Sequence, residues 1–184
     1  MNVSLTGTPG TGKTSISGIL SKNKVEILNL NKIISKKKII FEYDKKRKTK
    51  IVDIEKLNTY FDNNIRNKHL LIIEGHLSHL LNCIDKVILL RCNPNELKKR
   101  LLKRRWNKNK INENIESEIL DIILCECLKF HSRKNIFEID TTGKSIDSLA
   151  LIILDIIKNN FKENKIYKIG NINWSEEIFD MKLI

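Results

Sequence analysis

Much that would set the class of this 184-residue chain at once is missing. Its four cysteines, Cys83, Cys92, Cys125 and Cys127, form no CxxC pair, and zinc-ligand spacing is absent. That leaves buried or half-buried thiols in a reducing compartment. Cys125 and Cys127 lie two apart in an apparent helix and are expected on different faces. No apolar run approaches the roughly 20 residues of a membrane span; the longest, 149–157, is broken by Asp155. No basic region leads into an apolar stretch before Gly7, so no signal peptide is read and a cytoplasmic enzyme is expected. Neither an internal repeat nor a linker is visible, which favours one domain with a single core over 1–184.

What is present in excess is positive charge. The net charge is +12, which suits polyanionic partners such as nucleotides, RNA or an acidic surface. The abundance of Lys, Asn and Ile throughout gives a second explanation, compositional bias. At 41% hydrophobic the chain has enough apolar residues for a core, and nothing in the composition indicates disorder.

The pattern alternates strand and helix. Val3-Ser4-Leu5-Thr6, Val25 to Leu28, Leu70-Leu71-Ile72-Ile73, Lys86-Val87-Ile88-Leu89-Leu90 and Ile136-Phe137-Glu138-Ile139 read as five short strands. Two of them, at 70–73 and 86–90, are apolar on both sides, as central parallel strands are. Ile16, Ile19 and Leu20 show helical spacing, and further helices are expected at 53–67, 95–106, 112–130 and 145–161. Asp53 is placed to cap the first of these and Pro94 to open the second. The expected fold is α/β, a five-stranded parallel sheet with helices on both faces.

Gly7-Thr8-Pro9-Gly10-Thr11-Gly12-Lys13-Thr14 matches G-x-x-x-x-G-K-[ST], with a strand before it and a helix after it. Glycines let backbone N–H groups turn inward and approach phosphate closely. The helix starting near Lys13 adds its positive dipole end. Lys13 reaches the β/γ oxygens of ATP, Thr14 coordinates Mg²⁺, and Ser15 offers a further donor near the α-phosphate. The motif specifies a nucleoside triphosphate and leaves the phosphoryl acceptor open.

Glu74-Gly75-His76 ends an apolar strand, where ligands sit in parallel sheets. If that strand neighbours the first, Glu74 faces the P-loop and holds Mg²⁺ through water; otherwise it is a surface carboxylate. Gly75 permits an unusual turn. His76 either orients a water or the acceptor phosphate, or is only a hydrogen-bonding loop residue. His69 and His79 read as structural.

Two segments are markedly basic: 36–50, with Lys45-Lys46-Arg47-Lys48, and 98–110, with Arg100, Arg104 and Arg105. Arg100 and Arg104 are four apart and share a helical face. The residues between Arg104 and Glu113 look loop-like. Arginines on a closing lid would stabilise the charge of phosphoryl transfer. A solvated basic face, or an RNA stripe in which Trp106 stacks a base, fits the same residues.

These stretches resemble the atypical, small-lidded adenylate kinases linked to small ribosomal subunit maturation, nearest the archaeal branch. The resemblance runs almost end to end, through Thr6-Gly7-Thr8-Pro9-Gly10, Glu74-Gly75-His76-Leu77-Ser78-His79, Leu90-Arg91-Cys92-Asn93-Pro94, Arg100 to Arg104, Lys110 to Asn114 with Glu118, Ile139-Asp140-Thr141-Thr142-Gly143 and Asn173-Trp174-Ser175. It implies a P-loop fold with an AMP-binding region about 28–51, a lid about 103–113 and a tail at 162–184. It also implies ATP and Mg²⁺ as cofactors, AMP as acceptor, and a small ribosomal subunit protein or rRNA as partner. Gly10, Gly12, Lys13, Thr14 and Ser15 match the family's phosphate-binding positions, Arg104 its lid arginine, and Glu74 and His76 an acid-x-His pair. Two departures stand out: Arg105-Trp106 where Gly-Tyr is frequent, and basic residues at 45–50 where acidic ones are commoner. The expected reaction is ATP + AMP ⇌ 2 ADP, with Lys13, Glu74, His76 and Arg104 catalytic and Thr14 and Glu74 at the metal. The rival readings are a ribosome-assembly ATPase with incidental kinase activity and a kinase for another small acceptor.

Overall fold

The computed structural model describes residues 1–44, 49–65 and 69–176. Five parallel strands form the central sheet: β1 (Asn2–Gly7), β2 (Glu26–Asn29), β5 (Leu71–Glu74), β6 (Lys86–Arg91) and β7 (Ile136–Asp140), in the order β2-β5-β1-β6-β7. An antiparallel hairpin, β3 (Ile40–Asp44) and β4 (Thr49–Val52), stands outside it. The helices are α1 (Lys13–Lys22), α2 (Leu30–Lys37), α3 (Ile54–Asn64), α4 (Pro94–Lys103), α5 (Lys108–Ile119), α6 (Ile122–Phe130) and α7 (Ile146–Lys158). None of them is long and apolar enough to cross a membrane, among the described residues.

The sheet is buried on both faces because its strands are apolar on both. Ile72, Ile88 and Leu90 join Val3 and Leu5 against α1 and α7. Leu71, Ile73, Val87 and Leu89 point the other way, into a cluster with Leu30 and Ile34 of α2, Leu57 and Phe61 of α3 and Leu124 of α6. On that second side β1 offers Ser4 and Thr6, and they meet polar partners: Ser4 Oγ lies 2.6 Å from Ser78 Oγ, and Thr6 Oγ1 lies 3.0 Å from His79 Nδ1. A third cluster, built on Cys92, Leu97, Leu101, Ile111, Ile115 and Ile119, joins α4 to α5.

Two expected caps are present. Asp53 accepts from Lys56 N at 3.0 Å, and Pro94 opens α4 beneath the cap of Asn93. Three expectations need correction. The helix expected over 112–130 is two helices, because Asp121 adopts φ +54° and its carboxylate turns to the Arg91 guanidinium; Asp, with its short polar side chain, tolerates that conformation better than most residues. The residues beyond Arg104 are helical from Lys108, where Asn107 caps α5 by accepting from Lys110 N at 2.8 Å, so the loop is only 104–107. Cys125 is exposed, whereas Cys92 and Cys127 are buried and Cys83 is half-buried; the two faces expected for Cys125 and Cys127 are thus observed. The basic stretch Lys45-Lys46-Arg47-Lys48 and the tail residue Phe179 lie outside the described residues.

Candidate active site

The sheet order decides the site. β5 pairs with β1, with Leu5 opposite Glu74, so the acid that ends β5 stands beside the loop that leaves β1. Thr14 Oγ1 donates to Glu74 Oε1 at 2.9 Å, and the Asn29 amide donates to Glu74 Oε2. Glu74 is 2% exposed, so this carboxylate is fixed before any ligand arrives. Carboxylate and hydroxyl oxygens side by side are the hard donors that Mg²⁺ takes, and the residues fit such an ion.

The loop itself is shaped by close approach. Gly7 has φ +135°, and a Cβ there would stand 2.3 Å from the Leu90 carbonyl oxygen. α1 starts at Lys13 behind Gly12, and this N-cap makes no side-chain hydrogen bond to its first amides. These N–H groups and the helix dipole make a phosphate cradle. Lys13 Nζ folds back to donate to Gly7 O at 2.5 Å and Thr8 O at 3.0 Å. Burial pulls its pKa down to about 8, against the attraction of Glu74 and Glu118.

Gly75 has a different role from the one its neighbours suggest. Its φ lies outside the positive region, and it is small because Leu30 packs on it: a Cβ would meet the Leu30 Cβ at 2.8 Å. That contact seats α2 against the end of β5. His76 follows, half-buried, with its pKa lowered to about 4 by burial and by the charge of Lys13. The ring is therefore neutral near pH 7.

A cavity of about 460 Å³ gathers Gly10, Gly12, Lys13, Thr14, Glu74, His76 and Arg104. Among the residues expected from sequence, Ser15 is not on its wall; the side chain is exposed on α1. Arg100 is also elsewhere, tied to Glu96 and, at 2.8 Å, to the Thr141 carbonyl. Arg104 alone of the pair Arg100 and Arg104 reaches the cavity. Arg105 has φ +55°, a conformation that glycine adopts freely and arginine rarely.

Other cavity residues carried weaker sequence signals. Asn31 comes from α2, which is not among the helices expected from sequence. Trp106 and Lys110 stack on one another in the cavity wall, the ammonium 4.2 Å from the ring centre. Glu126 of α6 is bonded at 2.9 Å by His79 Nε2, so His79 is a buried brace between β1 and the cavity wall. Its pKa is lowered, chiefly by burial. Behind the P-loop, Arg91 is 2% exposed and bonded to Glu118 Oε1 at 2.7 Å, to Glu138 Oε1 at 2.6 Å and to Asp121. Three carboxylates around one guanidinium satisfy a charge that burial alone would penalise.

Comparison with known proteins bears on the family and the fold. A family model described as an AAA domain matches residues 3–121. The protein named "Putative adenylate kinase" in Methanocaldococcus jannaschii is 38% identical over 181 residues, spanning 98% of this chain and 96% of its own. Its namesake in Methanosarcina barkeri is 41% identical over 181 residues, spanning 95% and 97%. Among solved structures, shikimate kinase from Acinetobacter baumannii superposes with a TM-score of 0.59 at 19% identity, covering 86% of this chain and 93% of that one. Deoxyadenosine kinase from M. mycoides does so with 0.54 at 15%, covering 87% and 100%. At such identities these two speak for the fold, a P-loop kinase fold. Through its full-length archaeal relatives, the chain belongs to the family of P-loop proteins that carry the adenylate kinase name.

Proposed function

We propose that the protein is an adenylate kinase, transferring the γ-phosphoryl group of ATP to AMP. The observation that carries this reading is the meeting of the P-loop, the Thr14–Glu74 pair, His76 and Arg104 in one cavity. The names of the archaeal relatives favour AMP as the acceptor.

In this reading Lys13 leaves the Gly7 and Thr8 carbonyls and takes the β/γ oxygens of ATP, while the loop amides hold the phosphates in line. Mg²⁺, held by Thr14 and through water by Glu74, would supply charge neutralisation on the phosphates. An AMP phosphate oxygen attacks the γ-phosphorus as the bond to the bridging β–γ oxygen breaks, and ADP leaves on each side. The attacking oxygen is already anionic, so no general base is required. His76, being neutral, orients the acceptor phosphate or a water by hydrogen bonding rather than by charge. Arg104 approaches from the lid and stabilises the transferred group. Ser15 remains assigned to the α-phosphate through its backbone N–H, since its hydroxyl is exposed.

A second reading is an ATPase acting in small ribosomal subunit or rRNA maturation in the cytoplasm, with kinase activity incidental. The net charge of +12 favours it. Purified protein given Mg·ATP with AMP, CMP, UMP or no acceptor, with and without RNA, separates the two. ADP formed with AMP alone supports the kinase. Phosphate release without acceptor, raised by RNA, would replace it with the second reading.

A further inference from the structure

The chain after α7 has no part in the chemistry above, yet it reaches the centre of the P-loop's support. Ile169 is buried in the core, and Gly170 N donates to Glu138 Oε2 at 3.0 Å. Four residues later Trp174 packs on the cluster of Leu97, Leu101 and Ile115, and its indole N–H donates to Glu118 Oε1 at 3.3 Å. Both carboxylates are partners of Arg91.

Glu118 is the junction. It lies on α5 and is 2% exposed. Its Oε1 also accepts from the Cys92 amide at 3.1 Å, and its Oε2 accepts from the hydroxyl of Thr8, inside the P-loop. The carbonyl of that same Thr8 accepts from Thr11 Oγ1 at 2.9 Å and from Lys13 Nζ. An unbroken path therefore runs from the Trp174 indole through Glu118 to Thr8 within the P-loop, whose carbonyl holds Lys13 in the nucleotide-free chain. Buried carboxylates gain orientation from each donor they accept, and a buried network with one donor removed relaxes as a unit.

We infer that Trp174 is a positioning residue for the nucleoside triphosphate site, and that the segment 162–176 is a strap holding the P-loop in its binding shape through Glu118. The inference rests on the reading of the P-loop as the ATP site and is separate from the identity of the acceptor.

Binding of a non-hydrolysable ATP analogue with Mg²⁺, measured by calorimetry in the full chain without acceptor, tests it. Trp174→Phe keeps the ring in the cluster and loses the N–H. Its Kd is expected to rise by about threefold to tenfold, the range set by the net worth of one ordinary hydrogen bond. The unfolding midpoint should move little. Thr8→Val cuts the same path at its other end, and the double variant should bind no more weakly than Thr8→Val alone. In turnover, Trp174→Phe should raise KM for ATP and leave KM for AMP unchanged. A lowered midpoint with unchanged Kd would make Trp174 a purely structural anchor and overturn the inference, as would additive losses in the double variant. Lys13→Ala serves as the control. If it binds the analogue as tightly as the native chain, the donor-site reading falls and the inference with it; if it does not, the Trp174 result stands on its own.

Discussion

The two sides of the cavity are built differently. On the donor side, β1, the P-loop and α1 lie against β6 and the Arg91 network, and nearly every polar group is fixed: Thr8 by Glu118, Thr11 by Thr8, Lys13 by two carbonyls, Thr14 by Glu74. On the other side stand α2, the β3–β4 hairpin and α3, which pack through a few apolar residues such as Leu30, Ile34, Leu57 and Phe61. Asn31 lines the cavity from an exposed position on α2. A phosphate cradle must be rigid to aim its amides, since preorganised donors act without reorganising during transfer. On the proposed function that other side takes the acceptor, and a side that admits and releases a second substrate at each turnover gains nothing from such rigidity. In this account the donor side is intolerant of change and the acceptor side is adaptable.

Four experiments sharpen or break that contrast. Lys13→Ala should reduce turnover by about a thousandfold or more, because the charge it removes is made strongest at the transferring group; steady-state rates at saturating ATP and AMP measure it. Gly7→Ala comes next. The added Cβ would press on the Leu90 carbonyl at a backbone angle that alanine avoids, so chemical denaturation should show a loss of about 2–4 kcal/mol. If the native midpoint survives, the loop is less constrained than its contacts imply.

Much of the donor side was legible in the sequence because its constraints are local: eight consecutive residues set the loop, and an apolar strand ending in Glu74 announced the acid. The pairing of β5 with β1 was the one non-local fact needed, and it is observed. The acceptor side was not legible in this way. α2 showed no clear apolar stripe because only Leu30 and Ile34 of it are buried. The break between α5 and α6 left no glycine or proline, since Asp121 supplies the left-handed turn and Arg91, 30 residues away, supplies the partner. Glu118 entered only through the resemblance, with no role read for it, because its partners come from the P-loop, β6 and the tail.

Smaller effects bear on the comparison as well. Asn31→Ala should raise KM for AMP by about threefold to fivefold, in keeping with one lost hydrogen bond of ordinary strength, and leave KM for ATP alone. An equal rise in both would erase the distinction between the sides. The last is a pH effect confined to the donor. Lys13 is held at about 8, below its ordinary value, so the nucleotide-free protein releases its proton as pH rises through 8, while ATP binding requires the ammonium. Above pH 8 binding must take up that proton, and ATP affinity should fall by up to about tenfold per pH unit. In the empty protein the sign for stability is the reverse: the unfolded chain keeps the proton up to about 10.5, so stability rises between pH 8 and that value. Calorimetry of ATP and AMP binding in buffers of different ionisation enthalpy checks it, with proton uptake expected for ATP.

The central claim is that the γ-phosphoryl group goes to AMP. ATP labelled at the γ-phosphate, incubated with AMP, Mg²⁺ and the native chain, tests it in one step. The label is predicted to appear in the β-phosphate of ADP, and to stay in ATP when AMP is withheld. Label released as inorganic phosphate while AMP is left unchanged would contradict it.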